Sequence, residues 1–391
     1  MVYLDNAATT KIHPLALEAM IQCHKTSFAN PGSIHAAGWE AKKKVELARS
    51  QVASVINANT NNVIFTSGGS ESNSLALGGL VKYLLTQGKT HILASPIEHK
   101  SVIECMKNLD RFFIVEMLPV SPGGSVETSA VESRIRENTG LVSVMYINNE
   151  TGVENDIDAI ARLCHVNGAL FHTDCVQAFG KRPIDVSQTP VDFLTASAHK
   201  LHGPKGVGLL YAKDPSILSP SILGGNQEFG LRAGTENVPG IVGFGVASQI
   251  AADAVKKRFS GTPAGGIRRI IDELTHKLDG ICHINGKPRW FSEIVNLRFD
   301  GVSGEALVLM LSSLGIMVSA GSACTSTSNH PSHVLKAMGL TDEEARSSIR
   351  ISLADDITPE EEQEAIDKIV YCVTTLRDAS NENEVCFTKS L

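Results

Sequence analysis

Between about residues 15 and 255, apolar positions switch repeatedly from a helical period to short continuous runs. Val45, Ala48, Val52 and Val55 recur at three- and four-residue spacing and predict a helix over Glu40–Ile56 with one buried face. Runs too short for helices predict strands at Val63–Thr66, His91–Ala94, Phe113–Val115, Leu141–Tyr146, Leu170–Thr173, Phe193–Thr195 and Val207–Tyr211. Helical intervals such as Ile157–Asn167 lie between several of them. Alternation of this kind predicts a mostly parallel sheet with helices on both faces. The glycine-rich stretch Phe259–Gly266 breaks the pattern. Beyond it the order predicted is helix Ile267–Leu278, strand Ile294–Phe299, helix Gly304–Leu314 and strand Ile316–Ser319. A last helix starts with Thr358 as N-cap, Pro359 in the first helical position and acidic residues in the first turn. The polar residues from Ala379 to Leu391 are expected to fray.

The 391 residues exceed one compact core, so two domains are expected. Hydrophobic residues make up 42% and charged residues 20%, the balance of a soluble globular protein. A net charge of −7 speaks against direct nucleic-acid binding. No apolar stretch approaches the roughly 20 residues of a membrane span, and Met1–Asp5 lacks the start of a signal peptide. A cytoplasmic enzyme without membrane contact is the expectation. The eight cysteines are scattered, with no C-x-x-C pair and no zinc spacing, so reduced thiols and no metal site are expected.

Lys200 lies in Thr195–Gly208, after a strand-like run and before a glycine-rich turn, with His199 and His202 beside it. A lysine among Ser, His and Gly suits an amine that must lose its proton and form a Schiff base. A surface lysine in a glycine loop is the plain alternative. Gly68 to Ser72 opens a helix directly after a strand, where amides, dipole and a hydroxyl form a phosphate cradle. No dinucleotide or NTP glycine motif is present. Asp174 ends an apolar strand, where open α/β sheets bind ligands, and a buried carboxylate there would suit a protonated pyridine nitrogen. A helix N-cap is the alternative for Asp174. His99 follows another strand and would stack on a flat ring and move protons, or else cap a helix. Lysine, aspartate, histidine and phosphate cradle together describe pyridoxal 5′-phosphate (PLP) better than any other cofactor.

The segments Tyr3–Thr10, Asn30–His35, Thr66–Asn73, Glu98–Lys100, Asn148–Gly152, Ser197–Lys200, Arg232–Asn237 and Ser319–Ser326, with Asp174 and Gln177, span almost the whole chain. In them the chain resembles the cysteine desulfurases of the NifS/IscS type, fold-type-I PLP enzymes of the class V aminotransferase family. The resemblance implies a large PLP-binding domain over residues 15–258 with a mostly parallel seven-stranded sheet. It also implies a smaller α+β domain formed by residues 1–14 and 259–391, carrying a cysteine loop at about 320–332. Lys200 would hold PLP and later act as base, Asp174 would pair with the pyridine nitrogen, and Gln177 would reach the ring oxygen. His99 would stack on the ring and relay protons. Gly69, Ser70, Ser197 and His199 would hold the phosphate, helped by Thr235 from the second subunit of a homodimer. Asn149 would contact cofactor and substrate, and Arg350 would fork onto the α-carboxylate of L-cysteine.

Cys324 sits in Ser319–Ser328, a run of small residues that predicts a mobile loop. In the resembling enzymes such a cysteine takes sulfur from the substrate as a persulfide and alanine is released. The long loop resembles the NifS/IscS group rather than the SufS-like group. It implies hand-over to a sulfur-acceptor protein such as an iron–sulfur scaffold, or to a thiolation pathway. Two departures stand out: Ser70 replaces a common threonine, and Ala354-Asp355-Asp356 stands where housekeeping relatives commonly have Gly-Arg-Phe. Competing readings are a selenocysteine lyase, an aminotransferase of the same fold, and a sulfur-carrier component activated by a partner.

Overall fold

The computed structural model describes residues 1–260, 266–289, 293–321, 330–354 and 356–388. Its strands begin with β1 (Val2–Tyr3), β2 (Val63–Thr66), β3 (His91–Ala94), β4 (Ile114–Met117), β5 (Thr139–Ser143) and β6 (Leu170–Asp174). They continue with β7 (Phe193–Ser197), β8 (Gly208–Ala212), β9 (Cys282–Ile284), β10 (Ile294–Phe299), β11 (Ile316–Met317) and β12 (Ser348–Ser352).

Seven strands form the main sheet in the order β2-β8-β7-β6-β5-β3-β4. All run parallel except β8, which is antiparallel to both β2 and β7. The central strands are buried throughout, which is why their sequences read as unbroken apolar runs rather than alternating ones. The edge strand β4 is partly exposed, and its Glu116 pairs with Arg134 and Arg136 outside the sheet. Each strand predicted from the first 255 residues is present: Val63–Thr66 and His91–Ala94 match at both ends, and no other end moves by more than three residues. Gly208 sits where β8 crosses the turn that opens helix Gly69–Gly79; a Cβ there would lie 2.6 Å from Gly68 Cα. Only glycine permits that approach.

One expectation is corrected. Helix Val238–Ser260 is 23 residues long and, by length and composition, apolar enough to cross a membrane. Its apolar character reflects packing: Val238, Ile241 and Phe244 lie in the main core. Gly243 and Gly245 let it press against helices Pro14–Thr26 and Ala36–Ser54, since a Cβ at either glycine would meet Met20 or Ala48 within 3 Å.

A second core forms around the antiparallel sheet β12-β10-β9 and the parallel pair β1-β11. Val2 and Leu4 pack there with Leu297, Phe299, Leu307, Ile349 and Ile366, so the N-terminus joins the C-terminal elements. Strand β9 is absent from the expectations because three residues are too few to display a period. The last helix is capped as its sequence predicts: Thr358 Oγ1 accepts from Glu361 N at 3.2 Å and Glu361 Oε2 accepts from Thr358 N at 3.0 Å. It continues to Thr388, beyond the expected fraying point at Ala379. No glycine or proline interrupts the sequence there.

The segment that precedes Thr235 is pinned by a buried ion pair. Arg49 donates two hydrogen bonds to Glu228, both at 2.8 Å, and a third to Val63 O. Its guanidinium lies between the rings of Phe65 and Phe229. Glu228 also accepts from Phe65 N at 2.7 Å, although it sits in the left-handed region at φ 45°. Removing the arginine would leave a buried carboxylate unpaired. Arg49→Met is expected to destabilise the protein by about 3–5 kcal/mol, measured by urea unfolding, whereas Arg49→Met with Glu228→Gln should recover a substantial part of that loss.

Candidate active site

Beyond the carboxyl ends of β6 and β7 lies a cavity of about 210 Å³. Its lining includes Gly69, Ser70, His99, Asn149, Asp174, Gln177, Ser197, His199, Lys200 and Arg350. Asn73 and Ser101 also line it, although sequence reasoning gave neither a role. Ten of the expected site residues, from Gly69 to Arg350 in the chain, therefore meet in one place. Thr235 is exposed and does not line the cavity. Cys324 lies outside the described residues.

Lys200 ends the short turn Ala198–Lys200 that β7 runs into. Its Nζ donates to Ala7 O at 2.6 Å and Ala8 O at 2.7 Å. Gln177 Nε2 donates to the same Ala7 carbonyl at 2.9 Å, so the N-terminal segment closes over both side chains. Sequence reasoning placed that segment in a motif without finding this contact, which no local pattern reveals.

Asp174 is 3% exposed at the end of β6. It accepts from Asn73 Nδ2 at 2.8 Å and from Val176 N at 2.9 Å. Among the described residues no cation stands within ion-pairing distance of it. A buried carboxylate so placed needs a cationic partner, and a protonated pyridine nitrogen supplies one. Two titratable groups buried beside it are shifted towards their neutral forms. Burial first, and then the Asp174 charge, push the Glu98 carboxyl well above its ordinary range. Burial lowers His172 to about 4 against a slight opposing pull from Asp174. His172 Nδ1 is 2.9 Å from Ser143 Oγ.

The phosphate cradle is present as geometry. The first helical amide with an internal partner is Ser72 N, bonded to Gly68 O at 3.1 Å, so the amides of Gly69, Ser70 and Glu71 precede the ladder. Val176 Cγ2 would stand 2.8 Å from a Cβ at Gly69, which keeps that backbone close to β6. His199 Nδ1 is 3.1 Å from Thr9 Oγ1. Burial and then Lys200, Lys205 and Lys181 lower its imidazole to about 4, an electropositive setting that suits an anion. The donor set, the unpaired buried carboxylate and the lysine together fit PLP.

His99 is the N-cap of helix Lys100–Leu109, accepting from Ser101 N at 3.2 Å, and it also lines the cavity. The helix-cap reading of this histidine is therefore shown, and the same residue borders the cavity. Arg350, on β12, is 1% exposed. It donates to Asp5 Oδ1 at 2.6 Å and to Asn149 O at 2.9 Å, and its buried Nε has no partner among the described residues. Ser319 pairs with it across the backbone.

The Aminotransferase class-V family matches residues 2–365. A cysteine desulfurase IscS of Shewanella piezotolerans is 42% identical over 388 residues, covering 97% of this chain and 94% of that protein. The solved NifS-like protein superimposes with a TM-score of 0.87 at 35% identity, covering 96% of this chain and 100% of the other. A structure described as SspA in complex with cysteine has a TM-score of 0.79 at 37% identity, covering 90% and 99%.

The His172 shift has a testable sign. A group held near 4 when folded and near 6.5 when unfolded makes the unfolded chain the better proton binder between those values. Stability contributed by neutral His172 is therefore complete above pH 6.5 and declines as pH falls towards 4. Between pH 7 and 5 the wild type is expected to lose about 2 kcal/mol more than His172→Asn, as read from urea midpoints of the cofactor-free proteins. Equal losses would refute a neutral buried His172.

Proposed function

The chain belongs to the Aminotransferase class-V family and is a PLP-dependent cysteine desulfurase, and on that premise we propose how its residues take sulfur from L-cysteine. The observation that carries this is the convergence of Lys200, Asp174, Gln177, His99 and Arg350 on one cavity. PLP, when bound, supplies an electron sink that weakens bonds at the substrate's α and β carbons. Lys200 would hold it, then take and return the substrate's α proton at Nζ. Asp174 would face the ring nitrogen and Gln177 the ring oxygen. Gly69, Ser70, Ser197 and His199 would cradle the phosphate. Arg350 would receive the substrate carboxylate, with Asn149 beside it.

Cys324 would then act as nucleophile. Its thiolate forms an S–S bond with the substrate sulfur as the Cβ–S bond breaks, and that bond's electrons remain on carbon and are protonated. Cysteine and the Cys324 thiol thus become alanine and a Cys324 persulfide, with no external oxidant. In the complete enzyme Thr235 would reach the phosphate of a second copy. A homodimer would cover some of the exposed apolar side chains Phe28, Ile34, Trp39, Leu223 and Phe229. The separation of the two largest hydrophobic clusters supports a division into residues 15–258 and residues 1–14 with 259–391. The persulfide would pass to an acceptor protein of iron–sulfur assembly or thiolation in the cytoplasm.

Purified protein given L-cysteine and a thiol reductant is expected to release alanine and sulfide in equal amounts without a keto acid. A keto-acid requirement would favour an aminotransferase instead, and a strong preference for selenocysteine would favour a lyase. Lys200→Ala should lose the visible absorbance of bound cofactor and at least about a hundredfold in rate. Cys324→Ala should keep the absorbance and lose the added 32-dalton sulfur on peptide mass mapping, a mass fixed by chemistry at about one sulfur atom. Sulfur found on another cysteine would overturn the role given to Cys324.

A further inference from the structure

Resting on the reading that Asp174 and His99 flank the cofactor, we propose that Asn73 and Ser101 are positioning residues. They lock His99 as its Nε2–H tautomer and tie it to the Asp174 carboxylate. Asn73, fully buried on helix Gly69–Gly79, donates twice from Nδ2: to Asp174 Oδ2 at 2.8 Å and to Ser101 Oγ at 2.9 Å. The amide orientation follows from chemistry, because a carboxylate only accepts and must be met by the nitrogen. With an N–H arriving at its oxygen, the Ser101 hydroxyl has its single hydrogen left for His99 Nδ1, 2.8 Å away. Ser101 N donates to the same Nδ1 at 3.2 Å. A ring nitrogen that accepts from two donors carries no proton, so the ring proton resides on Nε2.

The hydrogen bonds therefore run one way, from Asn73 through Ser101 to His99, and are oriented by the carboxylate. Protonating Nδ1 would require the hydroxyl to turn away and would break the helix cap. His99 then serves as a neutral hydrogen-bond donor rather than a base, which narrows the proton-relay role expected from sequence. Packing alone does not account for asparagine at position 73. Its Oδ1 is buried with no partner among the described residues, a cost that an apolar side chain of similar shape would avoid.

The test reads the tautomer directly. Enzyme labelled with ¹⁵N-histidine is examined by long-range ¹H–¹⁵N NMR with and without PLP, the His99 signals being assigned by their loss in His99→Gln. Wild-type His99 is expected to show an unprotonated Nδ1 and a protonated Nε2. Ser101→Ala removes the hydroxyl but keeps the backbone donor, and should give mixed tautomers. Its kcat should fall about tenfold while KM for cysteine stays within about twofold. Asn73→Leu should do the same and also displace the pH titration of the bound cofactor's visible absorbance. A protonated Nδ1 in the wild type, or a Ser101→Ala enzyme with wild-type tautomer and kcat, would overturn the proposal. Should Asn73→Leu fold poorly, the wild-type spectrum and Ser101→Ala still decide. His99 signals that do not move on adding PLP would count instead against placing His99 beside the cofactor, separately from the lock.

Discussion

A single buried carboxylate sets the terms for the rest of the site. Asp174 sits at the end of a central parallel strand, 3% exposed and without a protein cation within ion-pairing distance among the described residues. Such a group is tolerable only if its neighbours donate to it and do not compete with it. Asn73 Nδ2 and Val176 N donate. Burial and Asp174 itself push the Glu98 carboxyl well above its ordinary range, and burial lowers His172 to about 4. Asp174 therefore offers its carboxylate where a cationic ring nitrogen would lie. The opposite end is electropositive, with Lys200 and Lys205 near His199. A ligand cationic at one end and anionic at the other is oriented before any chemistry begins.

The N-terminal ten residues make this arrangement depend on the whole fold. Val2 and Leu4 are anchored in the second core, and Asn6 N donates to Ser352 O on β12 at 3.2 Å. Immediately afterwards Ala7 and Ala8 offer their carbonyls to Lys200 and Gln177, while Asp5 holds Arg350. One short segment thus fixes Lys200 relative to Arg350, although one follows a strand of the seven-stranded sheet and the other lies on the three-stranded sheet. Loosening either core would shift Lys200 relative to Arg350.

Much of this was legible in the sequence, and the reasons differ by residue. Asp174, His99 and the turn before helix Gly69–Gly79 could be found because strand ends and helix starts carry local signals: an apolar run, then a polar residue, then glycine. The fold class followed from the same alternation. Arg350 carried no such signal, since β12 is a short strand whose arginine becomes meaningful only beside Asp5 and Asn149. Resemblance reached it where pattern could not. Asn73 and Ser101 were hidden for another reason: both act through a neighbour's hydrogen bond, and a small polar residue in a helix's first turns has many ordinary explanations. No apolar stretch of span length was expected, yet Val238–Ser260 is one by length and composition; hydropathy does not distinguish burial in protein from burial in lipid.

Stability and alignment are separate demands, and a buried ion cluster near the site serves the second. Arg182, with a 2% exposed side chain, donates to Glu154 at 2.7 Å and reaches Glu293 at 3.3 Å, while Arg258 pairs with the same Glu293. Burying such a cluster costs desolvation that its attraction roughly offsets, so it adds little net stability over a well-packed apolar core. What it does impose is geometry, because each charge tolerates only positions that keep its partners. Arg182 lies eight residues beyond Asp174 (182 − 174 = 8), and Glu293 immediately precedes β10, the neighbour of the strand that carries Arg350. Glu293 O also accepts from Leu353 N at 2.9 Å, three residues past Arg350. The cluster therefore sets the spacing between the strand that carries Asp174 and the strand that carries Arg350. A displacement of about 1 Å between reacting groups can cost on the order of a hundredfold in rate, so a contact that is nearly neutral for folding can still be decisive for catalysis.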